Sequence, residues 1–324
     1  MHTNTLEHRS GQRPGRDGAG RVHVRVHAHA ASSQIRLLQS LPHVDDGFHV
    51  PCTIVAFDVT TAPVYNAISY TWGDPGDTAY ILIDGVPFKM RANCHYALWQ
   101  ARLHCPAAYV WIDSVCIHQD NLVEKGKQVA MMGDIYARSE EVSACVGHDR
   151  PHSRAFVQCL NDSAGLLEDF LKFVEEILCW ADDQCSGSLM DLDGWVAEFS
   201  ERPYWSRLWI LQELHGGLWD QVTILCGKSS LAFRHLVVFI RYFSDLLNDS
   251  RRRENGDLPH WTLLDSLHSS KLVALITVLD VSYHLPEILE LKLLHNFECS
   301  ATTLEIHFSL LYSLLPSWFT AGLL

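Results

Sequence analysis

The stretch AYVWIDSVCIHQDNLVEKGKQVAMMGDIYARSEEVSACVG, residues 108–147, decides the fold class. It opens on AYVWID and closes on EVSACVG, two apolar runs short enough to be buried strands. Between them, the residues from about Leu122 to Arg138 read as a helix. Asn121 stands where a side chain can cap the first turn, and Glu124 follows at the spacing by which a carboxylate reaches back to the cap amide. Val129, Met132 and Tyr136 then recur at helical spacing and supply an apolar face. A strand, a helix and a strand at this spacing predict a right-handed crossover, and hence a parallel sheet.

Working outward, ordered patterning begins at IRLLQSL, and CTIVAFDV and NAISYTW read as strands. YILIDGVPFKM reads as a hairpin turned by Asp84 and Gly85, because Asp-Gly tolerates the left-handed conformation of tight hairpin turns. A helix is expected from about Asn93 to Leu103. Downstream, residues 164–183 form an amphipathic pattern, YWSRLWILQEL (204–214) a shorter helix, QVTILCG a strand, and residues 232–248 a further helix. The expected class is α/β: a parallel sheet flanked by helices, with helical additions between about residues 150 and 250.

Composition bounds the function. With 324 residues and 48% hydrophobic positions, the chain can bury a sizeable core. Residues 1–33 are rich in Gly, Arg, His and Ser and predict a basic, unfolded tail. The five arginines of residues 1–30 face two carboxylates, so the chain's net charge of −13 leaves −16 on the body. An acidic body argues against nucleic acid as a partner, since phosphate contacts need clustered cations. Ten cysteines without a CxxC pair, and no secretory leader, indicate reduced thiols and a cytoplasmic protein. Nineteen histidines lack a second spaced ligand pair, so no metal is expected. Residues 304–324 are apolar, but Glu305, His307 and Pro316 interrupt the run and argue against a membrane span.

In a parallel sheet, functional groups gather past the carboxyl ends of the strands. SYTWGDPGD leaves its strand with Ser69, Tyr70, Trp72, Gly73 and Asp74, and WIDSVCIHQD leaves its own with Asp113; both loops can line one crevice. The same residues also suit structural roles, the aspartates as turn and cap residues and the tryptophans as core.

YNAISYTWGD, VWIDSVCIHQDNLVEKGKQVAMMGDIYARSEEV and RPYWSRLWILQEL resemble, in order and spacing, the three signature blocks of the fungal heterokaryon incompatibility (HET) domain family. The resemblance places a domain at 34–250, with its signature core at about 65–215. His118 stands where members commonly carry Asn, and Ala144–Gly147 where they carry Trp-Leu-Gly. The family's Asp-Pro-Arg-Asp segment is missing from 251–324, which is expected to be truncated or degenerate. The resemblance implies an effector of non-self recognition and programmed cell death, with protein partners or self-assembly.

It also implies a distant relation to the Toll/interleukin-1 receptor (TIR) domain, a flavodoxin-like fold. LWILQEL resembles the glutamate-bearing helix of TIR enzymes that cleave NAD, which places Glu213 as the catalytic carboxylate. On a helix from Tyr204 to Leu214, Trp205, Trp209, Gln212 and Glu213 share one stripe. Indole faces can stack on nicotinamide or adenine, and Arg202 or Arg207 can meet the pyrophosphate. NAD or NADP enters this reading as substrate, and no cofactor is expected. Two alternatives stand beside catalysis: a module that acts through assembly, in which Glu213 pairs with Arg207 and the indoles fill the core, and a degenerate, inactive copy.

Overall fold

A computed structural model describes residues 33–40, 51–164, 190–207, 209–215 and 219–240. The expected tail and the segment 251–324 lie outside these residues, as does all but the first residue of the helix expected at 164–183. The described strands are β1 (Gln34–Ser40), β2 (Pro51–Asp58), β3 (Asn66–Tyr70), β4 (Thr78–Ile83), β5 (Val86–Arg91), β6 (Tyr109–Trp111), β7 (Glu141–Gly147), β8 (Val222–Cys226) and β9 (Ser229–Ala232). The helices are α1 (Ala92–His104), α2 (Asp113–Cys116), α3 (Leu122–Ala130), α4 (Met132–Ala137), α5 (Pro151–Asp162), α6 (Met190–Ser200) and α7 (Ile210–His215). Residues 233–240 are helical, in line with the expectation for 232–248 as far as it is described.

All nine described strands join one sheet in the order β5-β4-β2-β1-β6-β3-β7-β8-β9. Its centre is the expected parallel unit: β3 pairs in parallel with β6 and β7, and β7 with β8. Numbered by chain order, these four strands run 2-1-3-4, so the chain reverses its direction of travel across the sheet at β3. Beyond this unit the sheet adds antiparallel pairings, of which only the β4–β5 hairpin was expected. β1 pairs antiparallel with both β2 and β6, β4 with β5, and β8 with β9, so the sheet is mixed. The outer hairpin strands β4 and β5 alternate buried and more open positions over most of their length, whereas every residue of β3 is buried, as in a strand covered on both faces.

Local signals were honoured where they were strongest. Asp84 and Gly85 adopt φ of 50° and 76°, the paired left-handed conformation of a tight hairpin turn, and bring Ile83 opposite Val86. Asn121 caps α3, its Oδ1 accepting from the Glu124 amide at 3.2 Å. Glu124 does not reach back to the cap; its carboxylate is buried against the Arg36 guanidinium of β1 and accepts from the His118 amide at 3.1 Å. Arg36 also donates to Cys116 O at 2.9 Å, so one guanidinium fastens the start of α3 and the end of α2 to the sheet. Replacing Asn121 by Ala removes one capping bond and is expected to cost about 1 kcal/mol in urea unfolding, with no change in the slope of the transition.

The single helix expected at 122–138 is two, broken at Met131, whose amide is shared between Lys127 O and Gln128 O. The break re-aims α4 so that Tyr136 donates to Ile68 O at 3.2 Å while its ring meets Trp111 edge-on, and Ile135 O accepts from Tyr65 at 2.6 Å. The described cysteines are free and buried, and burial pushes the Cys94 and Cys116 thiols up to about 12, so neither is an ionised nucleophile at neutral pH. Among the described residues no helix is long and apolar enough to cross a membrane.

Candidate functional site

Two cavities open at the carboxyl edge of the parallel unit, one on each side of the segment that leaves β3. The first, about 420 Å³, lies towards the end of β6 and is lined by Trp72, Asp113, Lys125, Arg207, Trp209 and Glu213 over an apolar floor that includes Val129 and Met132. The second, about 380 Å³, lies between the ends of β3 and β7, with Tyr70, Tyr96, Glu198, Glu201 and Arg202 in its walls. Thr71 borders both.

The wall between them is a polar chain. Arg207 grips Glu213 with two parallel bonds, its terminal nitrogens lying 2.9 and 2.7 Å from the two carboxylate oxygens. Ser69 donates to Glu213 Oε2 at 2.5 Å, and because a hydroxyl carries one hydrogen, the 2.6 Å contact between Ser69 and Tyr204 must have the phenol as donor. Arg207 adds a bond to Ser69 Oγ at 3.1 Å. Burial, with the Glu213 charge behind it, pushes the Tyr204 phenol far above its ordinary range, which keeps it a donor. Burial works against the Arg207 charge, yet Glu213 outweighs it with help from Tyr204 and Tyr136, and the guanidinium stays above its ordinary value. Glu213 itself is 1% exposed.

Asp113 presents a different carboxylate to the same cavity. It is half-buried, accepting from Trp72 Nε1 at 2.7 Å and from the Ser114 amide at 2.6 Å. Burial, reinforced by the Glu213 charge, raises its carboxyl to about 6 against the opposing pull of the Trp72 bond and Arg207. A carboxyl raised in the fold binds its proton more tightly there than in the unfolded chain, so stability falls as pH climbs from about 4 through 6. Asp113→Asn keeps the bond from Trp72 but turns its amide nitrogen towards the Ser114 N–H, a loss that does not vary with pH, so relative to wild type it is expected to gain about 1–2 kcal/mol between pH 4 and pH 8, as read by urea unfolding at both values.

The other anticipated residues fall in several places. Trp72 lines the first cavity under two cations, the Arg91 guanidinium 5.0 Å and the Lys125 ammonium 5.9 Å from its ring centre. Gly73 turns the chain there with φ of 72°, in a position where a Cβ would lie 2.5 Å from the Asn93 side chain, so glycine is required. Asp74 is exposed and accepts from the Gly76 amide at 2.7 Å, a turn role. Tyr70 is buried beside the second cavity.

Arg202, buried, donates to Val146 O (3.0 Å), His148 O (2.8 Å) and Ser153 Oγ (2.8 Å), holding the end of β7 in place. The single helix expected for 204–214 does not form. Pro203–Ser206 make a turn of 3₁₀ helix, Arg207 is extended, and α7 starts at Ile210. The proposed stripe is thereby split: Trp209 borders the first cavity, whereas Trp205 is 2% exposed, donates to Phe199 O at 2.8 Å and borders neither cavity. Sequence reading passed over Tyr204 and Lys125. Tyr204 sat inside the motif, but only the chain's return to Ser69 gives it a role.

The family described as heterokaryon incompatibility protein (HET) matches residues 65–213, a span that begins at β3 and ends on Glu213. The chain is 33% identical over 132 residues to the heterokaryon incompatibility protein 6, OR allele, of Neurospora crassa, which covers 36% of this chain and 19% of that protein. No solved structure matches it.

Proposed function

Residues 65–213 of this chain are a HET domain, and from that premise we propose that the protein is an effector of fungal non-self recognition that acts in programmed cell death by cleaving the N-glycosidic bond of NAD or NADP. The observation that carries the reading is the convergence of Asp113, Glu213, Trp72 and Trp209 on one cavity at the carboxyl edge of a 2-1-3-4 parallel unit. That strand order is the flavodoxin-like one and supports a TIR-like core.

Loss of nicotinamide passes through an oxocarbenium-like ribose, and a fixed carboxylate in a partly apolar cavity stabilises that charge without having to reorganise. Glu213 is fixed in this way by Arg207 and Ser69. The Trp209 indole is a cavity wall against which a planar base can pack, and Lys125, which lies over the Trp72 ring, is a cation for a phosphate.

A second reading draws on the same pair: a carboxylate so fully bonded and 1% exposed is also what a structural linchpin looks like, and the domain then works by assembly with partners. The deciding experiment is chromatography of NAD incubated with the full chain, alone and on an oligomerising scaffold. Nicotinamide release that drops about 10²-fold or more in a folded Glu213→Gln variant is the expected result. No release from folded, assembled wild-type protein overturns the enzymatic reading and leaves the assembly module.

A further inference from the structure

Glu213 and Asp113 share one cavity but differ in what their oxygens are free to do. Glu213 Oε2 already accepts from Arg207 and Ser69, Oε1 accepts from Arg207, and the residue is 1% exposed. Asp113 is half-buried, and its oxygens accept one bond each, from Trp72 Nε1 and from the Ser114 amide, leaving a lone pair on each for another donor. Trp72 fixes the orientation of the carboxylate and is itself a wall of the cavity.

Resting on the NAD-cleaving reading, we propose that Asp113 is the catalytic general base, taking a proton from the water that attacks the ribose while Glu213 remains the fixed counter-charge. The balance is simple. The bond from the anomeric carbon to the pyridinium nitrogen breaks, its electron pair leaves with neutral nicotinamide, a carbon–oxygen bond forms from water, and the water proton passes to Asp113 and then to solvent. No oxidant or reductant is needed.

The groups that act on Asp113 allow this role. Glu213 and Arg207 face it from the segment before β8 with opposite charge, and Lys125 of α3 lines the same cavity. Tyr70, Tyr136, Cys94 and Cys116 nearby are held neutral by burial. With its carboxyl raised to about 6, Asp113 is ionised at pH 7 to 8 yet a stronger base than an ordinary aspartate.

The test compares full-length wild type with Asp113→Asn, measuring nicotinamide release from NAD between about pH 5 and pH 8, with and without sodium azide, a nucleophile that needs no base. Wild type is expected to lose activity below about pH 6, and Asp113→Asn to fall by roughly 10²–10⁴ at pH 7.5 and to lose that acid limb. Azide should restore turnover with formation of azido-ADP-ribose, whereas Glu213→Gln should stay unrestored. A folded Asp113→Asn protein that keeps the wild-type pH profile, or that azide fails to restore, overturns the role of Asp113 alone. Absence of turnover in wild type under every condition overturns the NAD-cleaving reading and this proposal with it.

Discussion

Arg207→Ala is expected to destabilise the fold by about 3–5 kcal/mol, because it strands a buried carboxylate. Glu213 is 1% exposed and takes three bonds, two of them from Arg207, so truncation leaves it with Ser69 and no counter-charge. The loss also spreads to Ser69, which accepts from Arg207 as well as from Tyr204. Urea unfolding should show a lowered midpoint with an unchanged slope. Adding Glu213→Gln in the same chain removes the stranded charge and should recover part of the loss, so the double variant is expected to be more stable than Arg207→Ala alone. A double variant less stable than that single one would mean that Glu213 draws its stability from groups other than Arg207. The recovery separates a paired-charge penalty from simple loss of packing, which an additive result would indicate.

The effect has a conformational side. Arg207 leaves the helical line at φ −78° and ψ 131°, and this extended residue divides the 3₁₀ turn from α7. No local rule in YWSRLWILQEL asks for the break, since its residues are adequate helix formers and Pro203 belongs at a helical start. What demands it is a partner six residues on and a serine 138 residues away.

The same contrast runs through the whole chain. The turn at Asp84 and Gly85 and the cap at Asn121 were legible because each is decided by two to four adjacent residues. The parallel core was legible because a strand, a helix and a strand can pair side by side in only one favoured hand. The placement of β1 was not, because it lies between β2 and β6 by virtue of pairings such as Leu38 with Val110, which no periodicity encodes. Of the candidate site, Trp72, Asp113 and Glu213, each named from its motif, line one cavity. Arg202, named from its charge as a phosphate contact, lines the second cavity, and Val146 O, His148 O and Ser153 Oγ accept from its terminal nitrogens, pairings that charge alone does not reveal. The raised carboxyl of Asp113 was likewise invisible, since it depends on burial under segments about 40 and 100 residues away in the chain.

Trp205→Ala is expected to cost about 3–5 kcal/mol, comparable with the loss of Arg207, while leaving ligand affinity of the remaining folded protein unchanged. The indole is 2% exposed, packs against Phe199 at a centroid distance of 5.5 Å and meets Tyr204 edge-on at 5.0 Å. Its nitrogen has a second task. Phe199 lies in the last turn of α6, where carbonyls have no partner within the helix, and Trp205 Nε1 supplies one at 2.8 Å. Trp205→Phe should therefore keep most of the packing yet still lose about 1–2 kcal/mol through the unpaired carbonyl. Trp209→Ala forms the control, since that indole borders the cavity: it should weaken binding of a nucleotide probe such as ADP-ribose, measured by calorimetry. If instead Trp205→Ala, folded at low temperature, lost probe affinity and Trp209→Ala did not, the ligand would have to occupy the far side of the Tyr204 wall, and the assignment of the working cavity would move there.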